Sequence, residues 1–174
     1  MYRRDRGFTL MELLTTIAVA LVLTTIGIPS LQQTLAKRRL SAAAEELYGN
    51  LQLMRAQAIK QNRPAYVSFF SDAGGWRYGL DDTAACNLTV AGDCSVHGNA
   101  RTYSSDNHRG VNLSQTFAAN LAGFEPRRGL AFGSGSVTLS SSAGEVRVVL
   151  LRIGQLQLCS PAGAHKVSGY ADCA

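Results

Sequence analysis

Residues 7–31 read GFTLMELLTTIAVALVLTTIGIPSL, and the fold turns on how that stretch is read. A short basic leader, Met1–Arg6, precedes it with Arg3, Arg4 and Arg6. No charged residue occurs from Leu13 to Ala36, a run of 24 positions. As a helix the run is roughly 36 Å long at about 1.5 Å per residue, enough for a hydrocarbon core of ~30 Å. One acid, Glu12, sits at its start, where a carboxylate at a membrane edge is costly unless partnered. A secretory signal places its small-residue cleavage site after the apolar core. Here Gly7 precedes the core and an acid follows closely, so ordinary signal-peptidase cleavage fits poorly. The arginines before the run agree with a cytoplasmic N-terminus and an exported remainder.

Outward from this run the helix continues. Pro29 removes one backbone hydrogen bond and is expected to bend the preceding turn. Beyond it, Leu40, Ala44, Leu47, Leu51, Met54 and Ala58 recur at steps of four and three, an apolar stripe of helical period for a β domain to pack upon. Lys37, Arg38 and Arg39 read as a solvated helix face beside the apolar run, with acidic lipid or DNA as the alternative. Glu45 and Glu46 are placed to reach basic residues one turn away. Asn62-Arg63-Pro64 ends the helix near Gln61.

After Pro64 the period changes. Residues 65–70 and 76–80 flank Asp72-Ala73-Gly74-Gly75 and read as a hairpin. Residues 81–100 read as an irregular loop, and 101–125 are ambiguous, with short strands at 102–104 and 111–113. The clearest strands are Leu130–Phe132, Ser136–Leu139, Val146–Ile153 and Leu156–Cys159, punctuated by Gly133-Ser134-Gly135, Ser140–Gly144 and Gly154. Val146–Leu151 is apolar on both faces except Arg147, which predicts a central strand covered on both sides. The tail from Ser160 reads as loop. The fold class is α+β: a long N-terminal helix, membrane-spanning in its first half and amphipathic in its second, packed on a mostly antiparallel β domain. The expected division is leader 1–7, transmembrane helix 8–36 and exported domain 37–174. The last comprises helix 37–62, β domain 64–159 and tail 159–173.

Four cysteines, Cys86, Cys94, Cys159 and Cys173, suit an oxidising compartment and allow three pairings. The sequence-local pairs Cys86–Cys94 and Cys159–Cys173 are the simplest. Zinc would need Cys94-x2-His97 and a second compact pair, which the chain lacks; no metal and no cofactor is expected. A formal charge of +5, part of it in the leader, makes no strong case for nucleic acid. Gly133-Ser134-Gly135-Ser136 is not a nucleophile elbow, and no lysine of a phosphate-binding loop follows a glycine-rich run. His97, His108 and His165 read as solvated loop residues, and Asp81-Asp82 lacks further calcium ligands in register. No catalytic constellation emerges, so no enzyme is expected.

Gly7-Phe8-Thr9-Leu10-Met11-Glu12 resembles the type IV prepilin signal. The resemblance implies cleavage by prepilin peptidase between Gly7 and Phe8, N-methylation of Phe8, and retention of the apolar helix as the filament core. It assigns Glu12 and Pro29 to assembly with other pilins, Glu12 by pairing with the Phe8 amine of a neighbour. It also implies a type IV pilin-like fold and a single-pass inner-membrane protein whose C-terminal domain is periplasmic before assembly into a surface pilus. The long helix, the β domain, Phe124-x-Pro126-x-x-Gly129 and the Gly154 hairpin narrow the likeness to the GspH/FimT/FimU group of minor pilins and pseudopilins. That implies a minor pilin that primes type IV pilus assembly. The alternatives are a DNA-binding minor pilin for natural transformation and a type II secretion pseudopilin. DNA-binding members carry Gly-Arg-x-Arg where this chain has Gly154-Gln155-Leu156-Gln157. Any DNA contact is therefore expected to be weak and to rest on Arg127, Arg128 and Lys166.

Overall fold

The structure is a computed structural model; it describes residues 7–173, of which 24–29 in backbone only. The leader arginines and the bend expected at Pro29 lie outside that description. Helix α1 spans Leu10–Gln61 and is shared between two compact units, Met1–Leu35 and Ala36–Ala174. In the second unit, Leu40, Ala44, Leu47, Leu51, Met54 and Ala58 are each at most 1% exposed, so the whole predicted stripe is core. The helix closes as helices with a left-handed C-terminal residue do. Asn62 has φ 51°, its N–H donates to the Ile59 carbonyl, and the Arg63 N–H donates to the Ala58 carbonyl at 3.2 Å.

The strands are β1 (Ala65–Asp72), β2 (Gly75–Asp81), β3 (Ser95–Val96), β4 (Asn99–Ala100), β5 (Thr102–Ser104), β6 (Asn112–Gln115), β7 (Leu121–Phe124), β8 (Gly135–Ser141), β9 (Gly144–Leu150), β10 (Leu156–Ser160) and β11 (Ala171–Asp172). One sheet has the order β5-β2-β1-β7 and the other β11-β10-β9-β8-β6; β3 and β4 form a separate hairpin. All pairings are antiparallel except β10 with β11. The α+β architecture expected from the sequence is present, a long helix on an antiparallel-rich β domain.

Three local expectations fail, each for a physical reason. Leu130–Phe132 is not a strand; among its residues only Ala131 makes a bridge, to Phe124. Its amides diverge, Ala131 donating to the Arg152 carbonyl and Phe132 to the Gly123 carbonyl, so the segment ties one sheet to the other instead of extending either. The strand expected at Val146–Ile153 stops at Leu150, because a turn closes with the Gly154 N–H on the Leu151 carbonyl at 2.8 Å. β9 is central, but only one of its faces is fully covered: Val146, Val148 and Leu150 are buried, while Glu145, Arg147 and Val149 are half-exposed.

The helix-facing side of the first sheet is aromatic. Tyr103 stacks on Tyr78 with centroids 4.8 Å apart, Tyr78 on Trp76 at 6.2 Å, and Trp76 on His108 at 6.2 Å. Their polar atoms are satisfied, as buried aromatics require. Asn50 of the helix donates to the Tyr78 hydroxyl and accepts from that of Tyr103, and the Trp76 indole N–H donates to the Val111 carbonyl at 2.7 Å. Burial pushes the Tyr78 hydroxyl far above its usual range, so it stays neutral. The Cys86–Cys94 disulfide holds the 81–100 loop on the sheet's outer face. There the Cys86 N–H donates to Ser68, and a Cβ on Gly79, the register partner of Ser68, would stand 2.2 Å from the Cys94 sulfur. Glycine at 79 is what lets the loop lie down.

Candidate functional site

The first site is the start of the helix. Gly7, Phe8 and Thr9 precede Leu10 in non-helical conformation and are exposed, and no atom lies within 4 Å of where a Gly7 Cβ would be. The Gly7–Phe8 peptide bond thus lies outside the helix and is exposed. The Thr9 hydroxyl accepts from the Glu12 N–H at 3.2 Å, capping the helix. Thr9-x-x-Glu12 has the spacing of a capping box, a signal that assigning Glu12 to assembly alone passes over. No salt bridge involves Glu12 among the described residues. From Phe8 to Leu23 the apolar side chains point outward on every face: Phe8 is 71% exposed, Leu10 77%, Ile17 49% and Leu23 66%. Thr15 and Thr16 return their hydroxyls to the Glu12 and Leu13 carbonyls, so they present little free polarity. Among the described residues no helix is long and apolar enough to cross a membrane.

The second site is a corner of the β domain where two sequence landmarks meet. Arg55, half-buried on the helix, donates from Nε to the Gly129 carbonyl at 3.1 Å. Gly129 has φ 64° and Gly154 φ 77°, and a Cβ on Gly154 would stand 1.9 Å from the Gly129 carbonyl oxygen. The Phe124-x-Pro126-x-x-Gly129 turn and the final hairpin are therefore packed backbone to backbone over Arg55. Arg127 and Arg128 are exposed on this turn, and Arg128 pairs with Glu125 at 3.3 Å. Lys166 is elsewhere. It bridges Glu145 at the start of β9, whereas the corner adjoins the other end near Leu150, roughly 17 Å away at about 3.4 Å per residue. Lys166 is itself paired with Asp172 at 2.6 Å. The three proposed DNA contacts are not brought together, and two of them face carboxylates of their own chain.

The tail, closed by Cys159–Cys173, is anchored rather than loose. Ser160 is fully buried, donates to the Glu145 carbonyl and accepts from the Val167 N–H. Tyr170 donates to Glu45 at 3.2 Å, and Glu46 lies 2.8 Å from the His108 Nε2. The two glutamates thus bind the β domain and not neighbouring helix cations. His108 is 13% exposed and sandwiched between Trp76 and Glu46, so it is not the solvated loop residue the sequence suggests. With Cys94 in a disulfide, the Cys94-x2-His97 pattern offers no thiolate to zinc. Asp81 is a loop staple: its Oδ1 accepts from the Thr83 and Ala84 amides and the Thr83 hydroxyl, and its Oδ2 from the Ser95 amide. Burial alone would raise this carboxyl, but those hydrogen bonds outweigh it and hold it below the ordinary carboxylate range.

The family model described as Type II transport protein GspH matches residues 43–156. The chain belongs to the GspH family. A second model, the prokaryotic N-terminal methylation motif, matches residues 2–28. No curated protein matches the chain significantly. Among solved structures, the type IV minor pilin FimU of Pseudomonas aeruginosa (strain PAO1) is similar in two crystal forms. One has 20% identity and a TM-score of 0.52 and covers 72% of this chain and 95% of FimU. The other has 18% and 0.50, covering 71% and 98%. The minor pseudopilin EpsH from the Type 2 Secretion System of Vibrio cholerae shares 14% identity with a TM-score of 0.48, covering 72% and 99%. At these identities the FimU likeness speaks to the fold alone. This chain therefore joins a GspH-family domain to an N-terminal methylation motif. The matched region includes the Gly129–Gly154 corner and ends at Leu156, leaving most of β10 and the whole disulfide-closed tail outside it.

Proposed function

We propose that this chain is a minor pilin, made as a precursor and cut between Gly7 and Phe8. On this reading it is methylated at Phe8, held in the inner membrane by residues 8–36 with its domain in the periplasm, and then assembled into a type IV pilus that it helps to prime. The observation that carries the reading is the helix from Leu10 to Leu23, apolar and exposed on every face, capped at its first turn and preceded by an exposed Gly7–Phe8 bond. A helix apolar all round has to be covered by lipid or by other helices, and a filament-core bundle exchanges the first cover for the second. Glu12 then stands where it meets the Phe8 amine of a neighbouring subunit, a charge-assisted contact in a low-dielectric bundle. The subunit is structural and not catalytic.

The test is Glu12→Ala with Gly7→Leu beside it. Glu12→Ala should fold, be cut and stay in the membrane, yet enter filaments poorly; normal incorporation overturns the role given to Glu12. Gly7→Leu should leave an uncut precursor on a gel, and normal maturation overturns the prepilin assignment. A second reading, a type II secretion pseudopilin, is favoured by the description of the matching family itself. Deleting the gene and scoring pilus-dependent motility against protein export separates the two. The DNA-uptake reading has less support, since Arg128 and Lys166 are engaged by Glu125 and Asp172.

A further inference from the structure

The uncharged run ends at Ala36, and three cations follow at once: Lys37, Arg38 and Arg39. Cations usually concentrate on the cytoplasmic side of an anchor, a place the leader's Arg3, Arg4 and Arg6 already fill. A second cluster on the exported side needs its own reason. Arg38 and Arg39 are exposed, and no salt bridge involves either among the described residues. Lys37 donates to the Ser168 hydroxyl, which brings the disulfide-closed tail to this end of the domain. The nearby Glu45 is already occupied by the Tyr170 hydroxyl.

We propose that Lys37, Arg38 and Arg39 form a platform for the phosphate headgroups of anionic phospholipid in the periplasmic leaflet of the inner membrane. The proposal rests on the anchor reading above. If residues 8–36 lie in lipid, the three cations begin within about 5 Å of its edge along the helix, at about 1.5 Å per residue. Each arginine offers a planar fork of donors to phosphate. Nucleic acid is the poorer occupant, because a duplex would have to lie against the membrane surface to reach these residues. The platform gives the domain a defined seat on the leaflet, and its headgroup contacts must break when the subunit leaves the membrane for a filament.

The full-length protein tests this in two arms. In flotation, wild type and a Lys37→Gln/Arg38→Gln/Arg39→Gln variant should both rise with phosphatidylcholine vesicles; failure of wild type to float overturns the anchor reading and the platform with it. In the second arm, protein in detergent is given equal amounts of phosphatidylglycerol and phosphatidylcholine, and the retained lipid is weighed by native mass spectrometry. Wild type should prefer phosphatidylglycerol, with each cation near an anionic surface contributing roughly a five-fold preference. The variant should lose at least one such factor, while the charge-matched Lys60→Gln/Arg63→Gln/Arg152→Gln protein keeps the preference. Equal phosphatidylglycerol retention by wild type and the 37–39 variant overturns the platform. So does a salt-sensitive shift of duplex DNA that the 37–39 variant abolishes while lipid retention shows no preference, which would assign the cluster to nucleic acid.

Discussion

One helix carries two hydrophobic patterns. Between Leu10 and Leu23 apolar side chains cover every face and stay exposed, whereas Leu40, Ala44, Leu47, Leu51, Met54 and Ala58 fall on one stripe and are buried. The first pattern stays exposed; the second is covered by the two sheets. The difference is one of where the partner lies. A stripe of period 3.6 is satisfied by a β domain folded from the same chain, while an all-round apolar surface calls for a lipid or helical environment supplied from outside. Stability of the domain and assembly of the subunit should therefore be separable along a single helix.

The sharpest way to break that comparison is a pair of truncations. Leu51→Ala removes a side chain 1% exposed between helix and sheets and should destabilise the domain by about 2–5 kcal/mol. Leu21→Ala removes one that is 61% exposed and should change domain stability by less than about 0.5 kcal/mol. Urea unfolding of the purified full-length variants followed by near-ultraviolet circular dichroism checks both; an equal loss from the two would mean that the first pattern is buried by this chain after all.

The closure of the tail comes next. Cys173→Ser opens a loop whose ends are 14 residues apart and should cost roughly 3 kcal/mol on the chain-entropy account. Because Val167 and Ser160 are buried beneath it, proteolysis near residue 160 should rise while the 86–94 loop stays resistant. Uniform sensitivity across the domain would show that the tail is part of the global fold and no separate cap. At the corner, Gly154→Ala places a side chain at φ 77° and 1.9 Å from the Gly129 carbonyl oxygen. Strain alone should cost about 1–3 kcal/mol, and Gly129→Ala should be partly non-additive with it, since both changes press on Arg55. Strict additivity in denaturation would indicate that the two turns do not brace each other.

What was legible in the sequence follows from the same contrast. The stripe from Leu40 to Ala58 and the hairpin at Asp72–Gly75 could be read because their signals are local and periodic. The N-terminal signal was legible because Gly7, Phe8 and Glu12 sit within six residues. Leu130–Phe132 misled because a short apolar run looks the same whether its amides serve one ladder or two sheets. β7 was hidden by Gly123, which in isolation reads as a breaker; there a Cβ would meet the Phe132 ring at 2.6 Å. His108 with Glu46, and Lys37 with Ser168, are pairs 62 and 131 residues apart that no spacing rule reaches. The distance between Lys166 and the Arg127–Arg128 turn was likewise set by tertiary structure alone.

The smallest effect concerns what holds the 81–100 loop besides its disulfide. Asp81 is 5% exposed and accepts from the Thr83 and Ala84 amides, the Thr83 hydroxyl and the Ser95 amide. Those bonds favour the carboxylate, so its folded pKa lies below the unfolded value near 4. The sign follows directly: this stability is fully present above about pH 4 and is lost as pH falls through the lower folded value. Asp81→Asn keeps one acceptor oxygen but loses the charge and the bond from the Ser95 amide, and should cost about 1 kcal/mol at neutral pH, the usual net worth of one hydrogen bond. The variant should also lose less stability than wild type between pH 4 and 2, because the proton uptake that Asp81 contributes on unfolding is gone. Parallel acid limbs for the two proteins would mean that the loop is held by the Cys86–Cys94 bond and its seat on Gly79, with the carboxylate carrying none of the acid sensitivity.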